Sequence, residues 1–486
     1  MNSYPFLLVI VLIMLTACGP ANSSTPTVTE ATNPVSTSTA VFTPEINTPT
    51  SVVATLSAPN FGPNIILYRG NAQRTGVYDE PAIRQLPEIK WQSEISTTWL
   101  MPPMIADDML YTGGGGDGWL YALDIKTGEK IWAVGGFGQM ESTGAIVGDV
   151  IVAGGYSKLV QALDRHNGEV LWTFNSSHAV QASPLIVEDI VIIATDHNVY
   201  ALDLRSGELI WETATGDEDG FMGAPAFEND VVYTTGGKLL VALDGETGNE
   251  LWRVEHDSTF TALAVANGFV YVGNFDHFLR AYDQKTGEER WKFESGGLFW
   301  SAPAIAGDTI YAGNDDQFYA LDAKTGEMLW SYDLDGKAVS EPVIVDGVVY
   351  VSDSSHLFSL GPRHLYALDA ATGDELWVFE TTSTFLPAPA VGEGAIYVTT
   401  GGEVFALASG VALAGDALVG ALGSRRGGVV VVVLGVASAG DEPAGADERG
   451  GASRGDEVVA VALGVGSAAE ACTGASRGDE VVEVAL

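Results

Sequence analysis

Basic residues and cysteines are what this chain has least of. Against 63 Asp and Glu stand 23 Lys and Arg, a formal net charge of −40, and the first basic residue is Arg69. That balance argues against long-range attraction to nucleic acid or to an anionic bilayer surface. Cys18 and Cys472 are the only cysteines, which leaves no disulfide framework and no cysteine-based zinc site. The seven His show no paired metal-ligand spacing, and there is neither a nucleophile elbow nor a phosphate-binding glycine loop. The apolar run at residues 6–15 (FLLVIVLIML) is too short to span a bilayer, which takes about 20 residues.

That run has the length of a signal-peptide hydrophobic region. It ends in Leu15-Thr16-Ala17-Cys18, which resembles the lipobox of bacterial lipoproteins, although no Lys or Arg precedes it. The resemblance implies a signal peptide over 1–17 and a lipid on Cys18. Residues 18–59 are dominated by Ser, Thr, Pro, Ala and Asn, with Glu30 and Glu45 as the only charges. Such a segment buries too little apolar surface to offset its ordering entropy, so a disordered linker is predicted. This layout predicts a lipoprotein of the cell envelope, anchored to a membrane on its extracytoplasmic side.

Self-similarity is the strongest signal in the chain. The pattern Ala-x-Asp-x-x-(Thr/Ser/Asn)-Gly-x-x-x-Trp occurs seven times, ending at Trp132, Trp172, Trp211, Trp252, Trp291, Trp330 and Trp377, with spacings of 40, 39, 41, 39, 39 and 47. Each period also carries strand signals. In the repeat ending at Trp330, Ser301 to Ala306 is a small-residue strand, followed by a Gly307-Asp308 turn. Thr309 to Gly313 and Phe318 to Asp322 are two more strands, Thr325-Gly326 is a tight turn, and Met328 to Tyr332 is the fourth strand. The glycine suits a hairpin position with φ > 0, and the small first strand suits a crowded central channel. A four-stranded unit of this period predicts an all-β propeller rather than a solenoid of shorter units.

The motif resembles the tryptophan-docking repeat of the quinoprotein (PQQ-like) propellers, a family that includes quinoprotein alcohol dehydrogenases and BamB-like lipoproteins. There the indole packs between neighbouring blades and against the glycine turn. The resemblance implies that role for the seven tryptophans above and for Trp91, which lies 41 residues before Trp132 in the strand-like Ile89-Lys90-Trp91-Gln92-Ser93. Trp91 has no three strands before it, whereas Pro387 to Leu407 supplies three strands and no Trp. One plus three predicts a closing blade shared between the two ends, which removes exposed sheet edges. The expectation is an eight-bladed propeller of four-stranded antiparallel blades over 60–407; seven blades without the seal is the alternative. From 408 to 486 there is no aromatic, Ile, Lys, Asn, Gln, Met or His. This low-complexity Gly/Ala/Val tail reads as translation of a shifted frame, and its valine run, 429–433, is β-prone.

The same resemblance raises an oxidoreductase using pyrroloquinoline quinone (PQQ) with Ca²⁺. Such enzymes are longer, and many hold the quinone against adjacent cysteines. Here no cysteine falls inside the propeller and the turns are mostly tight, so neither PQQ nor Ca²⁺ is expected, and no catalytic residue is assigned. Asp217-Glu218-Asp219 and Asn314-Asp315-Asp316 offer oxygen ligands at short spacing but fall short of a full calcium loop; solvated turns are the expectation. Residues just before each first strand should line one mouth of the channel. They include Trp99, Met101, Met140, Phe221, Met222, Phe260, Phe299, Trp300 and Phe385. Packing inside the funnel is one reading of them. The other is an apolar rim that binds a protein segment, since Met and aromatic residues are over-used at such surfaces. The expected function is a monomeric protein-binding or scaffolding module, and the BamB resemblance implies a role in outer-membrane protein assembly.

Overall fold

The computed structural model describes residues 65–96, 98–215, 223–315, 317–334, 340–353, 363–381 and 387–410, with two isolated dipeptides, Val431–Val432 and Val461–Ala462, that pair with each other. Three strands near the N-terminus come first: β1, Ile65–Ile66; β2, Val77–Tyr78; and β3, Glu88–Glu94. Seven four-stranded antiparallel blades follow in chain order, over 104–135, 145–175, 185–214, 226–255, 260–294, 304–333 and 343–381. The eighth blade consists of Ala390–Gly392, Ala395–Thr399 and Glu403–Ala408, with β3 as its outermost strand. The fold is an eight-bladed β-propeller, and no helix occurs among the described residues.

Closure is set by register. Trp91 of β3 pairs with Ala406, and Glu88 with Ala408, the same Ala–Trp pairing found in the other blades, such as Ala122 with Trp132. β3 takes the fourth position of the blade whose third strand ends at Ala408. A further strand there would have no edge to join. The predicted signal peptide over 1–17, Cys18, the predicted linker and nearly all of the tail lie outside the described residues.

Each blade interface is built from the motif. The indole N–H of every docking tryptophan donates to a main-chain carbonyl of the next blade, at 2.8–3.1 Å. The acceptor is the residue after the motif Asp: Ile125 for Trp91, Arg165 for Trp132, Leu204 for Trp172, Gly245 for Trp211, Gln284 for Trp252, Ala323 for Trp291 and Ala370 for Trp330. Trp377 has no such turn ahead of it and uses the Ile83 carbonyl, five residues before β3. The N-terminal segment therefore supplies both the last strand and the last acceptor of the ring.

Glycine is required beneath the indole. Gly207 has φ +71°, and a Cβ there would sit 2.5 Å from the Trp172 ring, closer than any side chain tolerates. The motif Asp caps the turn: Asp124 Oδ1 accepts from the Thr127 amide at 2.8 Å and its hydroxyl at 2.9 Å. Those bonds, the hydroxyl's foremost, hold the Asp124 carboxyl below the usual carboxylate range.

A second residue shares each docking point. Tyr111, Tyr233, Tyr271, Tyr311 and Tyr350, each paired across the blade with the motif Ala, donate their hydroxyls to the carbonyl used by the tryptophan of their own blade. Tyr and Trp rings flank that Ala with centroids 5.7–6.0 Å apart. Burial pushes the hydroxyls of Tyr111, Tyr233 and Tyr350 up to about 12 from an ordinary 10. A tyrosine raised in this way contributes stability that is fully present below pH 10 and is lost as pH rises through its folded value. The melting temperature is therefore expected to fall steeply between about pH 10 and 12, together with the rise in tyrosinate absorbance. Full ionisation near pH 10 with the blades intact would contradict this.

Candidate functional site

Two faces of the ring differ in kind. One carries the hairpin turns between first and second strands and the Thr-Gly turns; the other carries the connections that enter each first strand, and forms the rim. On the rim face, Trp99 is 40% exposed and lies flat across a glycine loop, where a Cβ on Gly115 would fall 1.7 Å from its Nε1. The loop is pinned from both sides, because Gly115 N–H donates to the Trp99 carbonyl at 2.8 Å and Gly114 N–H to the Trp119 carbonyl at 2.7 Å. Trp119, the first residue of the third strand of the first blade, and Tyr156, in the turn after the second strand of the second blade, are 44% and 38% exposed. Met101, half-buried, extends the same set.

The other rim candidates separate by burial. Met140, Phe260 and Phe299 are fully buried, so they pack between blades and cannot meet a partner without moving. Phe299, for example, closes over Gly273. Trp300 is half-buried; its indole donates to Asp315 Oδ1 at 2.6 Å and packs tilted against Phe275, ring centroids 4.5 Å apart. Phe221, Met222 and Phe385 lie outside the described residues. The Asn314–Asp315 loop is engaged internally: Asn314 Oδ1 accepts from the Gln317 amide at 2.7 Å, and Asp315 also takes the Leu298 amide at 3.1 Å. Residues 217–219 and Asp316 lie outside the described residues. Among the described residues no group of three or more His, Cys, Asp or Glu is placed to hold a metal ion.

The channel itself is crossed by the chain's own N-terminal segment. β1 runs antiparallel to the inner strand of the second blade, up from the turn face. The chain then circles inside the ring and leaves as β2, parallel to the inner strand of the seventh blade. Between them the carbonyls of Ala72, Gln73, Thr75 and Gly76 accept from Phe227, Val265, Ile305 and Ile344, the central residues of four successive inner strands, at 2.8–2.9 Å. Two arginines fasten this strap, both with left-handed backbone, Arg69 at φ 63° and Arg74 at φ 59°. Arg74 is fully buried and donates to the carbonyls of Tyr68, Pro225, Pro184 and Ser183 at 2.6, 3.0, 2.9 and 3.3 Å. Burial pulls its guanidinium down to about 9. The blade residues that this segment bonds lie more than a hundred residues away in the sequence.

The comparisons agree with this architecture. The family model described as outer membrane protein assembly factor BamB matches residues 85–274, 217–314 and 276–431. No curated protein matches. Among solved structures, BamB from Moraxella catarrhalis aligns with a TM-score of 0.53 and 19% identity, over 66% of this chain and 100% of that one. A computationally designed protein, Ika8, aligns at 0.57 and 18%, over 66% and 99%. The quinohemoprotein alcohol dehydrogenase of Comamonas testosteroni aligns at 0.60 and 14%, over 74% and 82%. Identities this low speak to fold alone, but the family model covers well over half of the sequence with the same repeats whose tryptophans, glycines and aspartates build the blade interfaces. This chain belongs to the PQQ-like β-propeller repeat family, among its BamB-like members.

Proposed function

We propose that this protein is a lipid-anchored, protein-binding propeller of the cell envelope that uses its rim face as a scaffold, with outer-membrane protein assembly as the process it serves. The observation that carries the reading is the exposed aromatic set of Trp99, Trp119 and Tyr156 at the hydrogen-bonded rim end of the first two blades. Large aromatic side chains held on a rigid loop lose little entropy on contact, and they dominate the energetics of protein interfaces. Their neighbourhood offers contact area rather than an arrangement for bond-making. The anchor rests on the lipobox-like Leu15 to Cys18, and the process on the BamB-like family.

A quinone cofactor does not fit the residues present. The strap from Tyr68 to Val77 occupies the channel, and no cysteine pair stands near it. No catalytic step is derived through such a group.

The test is site-specific photo-crosslinking in intact envelopes. A crosslinker at position 99, 119 or 156 is expected to trap one common partner protein, and a crosslinker replacing Leu329, on the outer edge of the sixth blade and 56% exposed, is expected not to. Identical products from all four positions, or none from the three rim positions, would overturn the reading.

A further inference from the structure

The strap does not reach all the way round the ring, and what it leaves open has a definite chemistry. In each inner strand the central residue is a non-hydrogen-bonded member of the antiparallel ladder, so its N–H and C=O point into the channel. The eight equivalent residues are Ile105, Ile146, Ile186, Phe227, Val265, Ile305, Ile344 and Val391. β1 pairs with the strand of Ile146, and strap carbonyls accept from Phe227, Val265, Ile305 and Ile344. Ile105, Ile186 and Val391 have no such partner among the described residues, and of these Ile105 and Val391 are neighbours, in the first and eighth blades.

Both line one cavity of about 300 Å³, bounded on one side by β1 and on the other by β2. This is at the small end of ligand-pocket volumes, about 300–1,000 Å³. Its walls are apolar, from Met104, Ile105, Ala390 and Val391, and Gly392 lets Ile105 pack close to the eighth blade, since a Cβ there would stand 3.1 Å from Ile105 Cδ1. The cavity reaches the turn face at Asp79, Asp107 and Glu393, all exposed, with Glu80 half-buried beside them and Glu341 deeper in. Asp107 is paired with Arg165. Arg69 is the one basic side chain among the lining residues; it is buried and directs a guanidinium N–H to the Pro303 carbonyl.

We propose that this slot binds an extended, basic peptide segment by strand addition to the inner edge of the first or eighth blade. The chain itself shows the mode, since β1 and β2 are two-residue strands added to inner edges of the second and seventh blades. Open main-chain donors give such a segment affinity, alternating side chains fit the apolar walls, and the acidic mouth selects Lys or Arg over Asp or Glu. This site is separate from the rim, and its fate is independent of the crosslinking result there.

The experiment titrates the full chain with a fluorescein-labelled pentapeptide alternating valine and lysine, against the same peptide with glutamate. The lysine peptide is expected to bind saturably and the glutamate peptide not. Val391→Pro and Ile105→Pro each remove a channel-facing N–H from an edge strand that tolerates proline, and each should weaken binding about two- to tenfold. Asp79→Lys with Glu393→Lys, both at exposed positions, should weaken it further at low salt and less at high salt. The proposal is overturned if the lysine peptide fails to saturate by about 1 mM, or if the glutamate peptide binds equally. It is also overturned if spermidine displaces the peptide completely at equal concentration, which would mark a site for small cations. Undiminished binding by both proline variants would equally overturn it, as association with surface charge alone.

Discussion

Trp211→Phe is expected to cost this fold more than Trp377→Phe, although both indoles are nearly fully buried and both donate to the next blade. The difference lies in what remains after the indole N–H is gone. At the seventh blade Tyr350 still donates to the Ile83 carbonyl at 3.1 Å, so that acceptor stays satisfied and the loss is one bond of about 0.5–1.5 kcal/mol. The third blade has Ile192 where others have Tyr, so Trp211→Phe leaves the buried Gly245 carbonyl without its donor, at a cost of about 1–3 kcal/mol. Trp172, facing Val152 in the second blade, should behave like Trp211. Alanine at either position removes the ring as well and should cost about 3–5 kcal/mol. Melting temperature and denaturant midpoint across the four variants check this. Equal losses for the two Phe variants would show that the shared acceptor does not matter.

The tryptophan ring was readable in the sequence because its parts recur at a fixed period and do local work. The Asp caps its own turn, the Gly provides a backbone that only it adopts easily, and the Trp follows four residues later. The tyrosines left a weaker signal, a Tyr after Leu, Val or Ile in the second strand of most repeats, and two blades lack it. The eight-bladed closure was readable too, since a lone fourth-strand Trp at one end and three strands at the other have one arrangement that satisfies both. The strap was not. Arg69 and Arg74 bond main-chain carbonyls, which carry no side-chain signature, and β1 and β2 are two residues each, too short for any periodicity. The rim was half readable. Position relative to the first strands placed Trp99, Met140 and Phe299 together, but their burial depends on what the neighbouring blade presents. Gly113 and Gly273 admit Met140 and Phe299 into the interior, whereas Trp99 rests on a glycine loop that leaves its outer face uncovered.

The strap makes Arg74 the other residue whose loss should be felt across the ring. No carboxylate is among its hydrogen-bond partners; four carbonyls around the channel hold its charge instead. Burying a cation is costly, and the downward shift to about 9 records that cost. Charge-assisted bonds offset it, being about twice as strong as neutral ones. Removing the guanidinium strands the Ser183, Pro184 and Pro225 carbonyls inside the channel, so Arg74→Ala is expected to lose about 3–5 kcal/mol. Arg74→Gly should lose about 1–2 kcal/mol less, because the left-handed backbone at φ 59° strains alanine and suits glycine. Melting temperatures of the three proteins read both effects. If Arg74→Gly proves as damaging as Arg74→Ala, the backbone strain is not part of how the strap is held; if Arg74→Ala melts with the native chain, the strap does not tie the blades together.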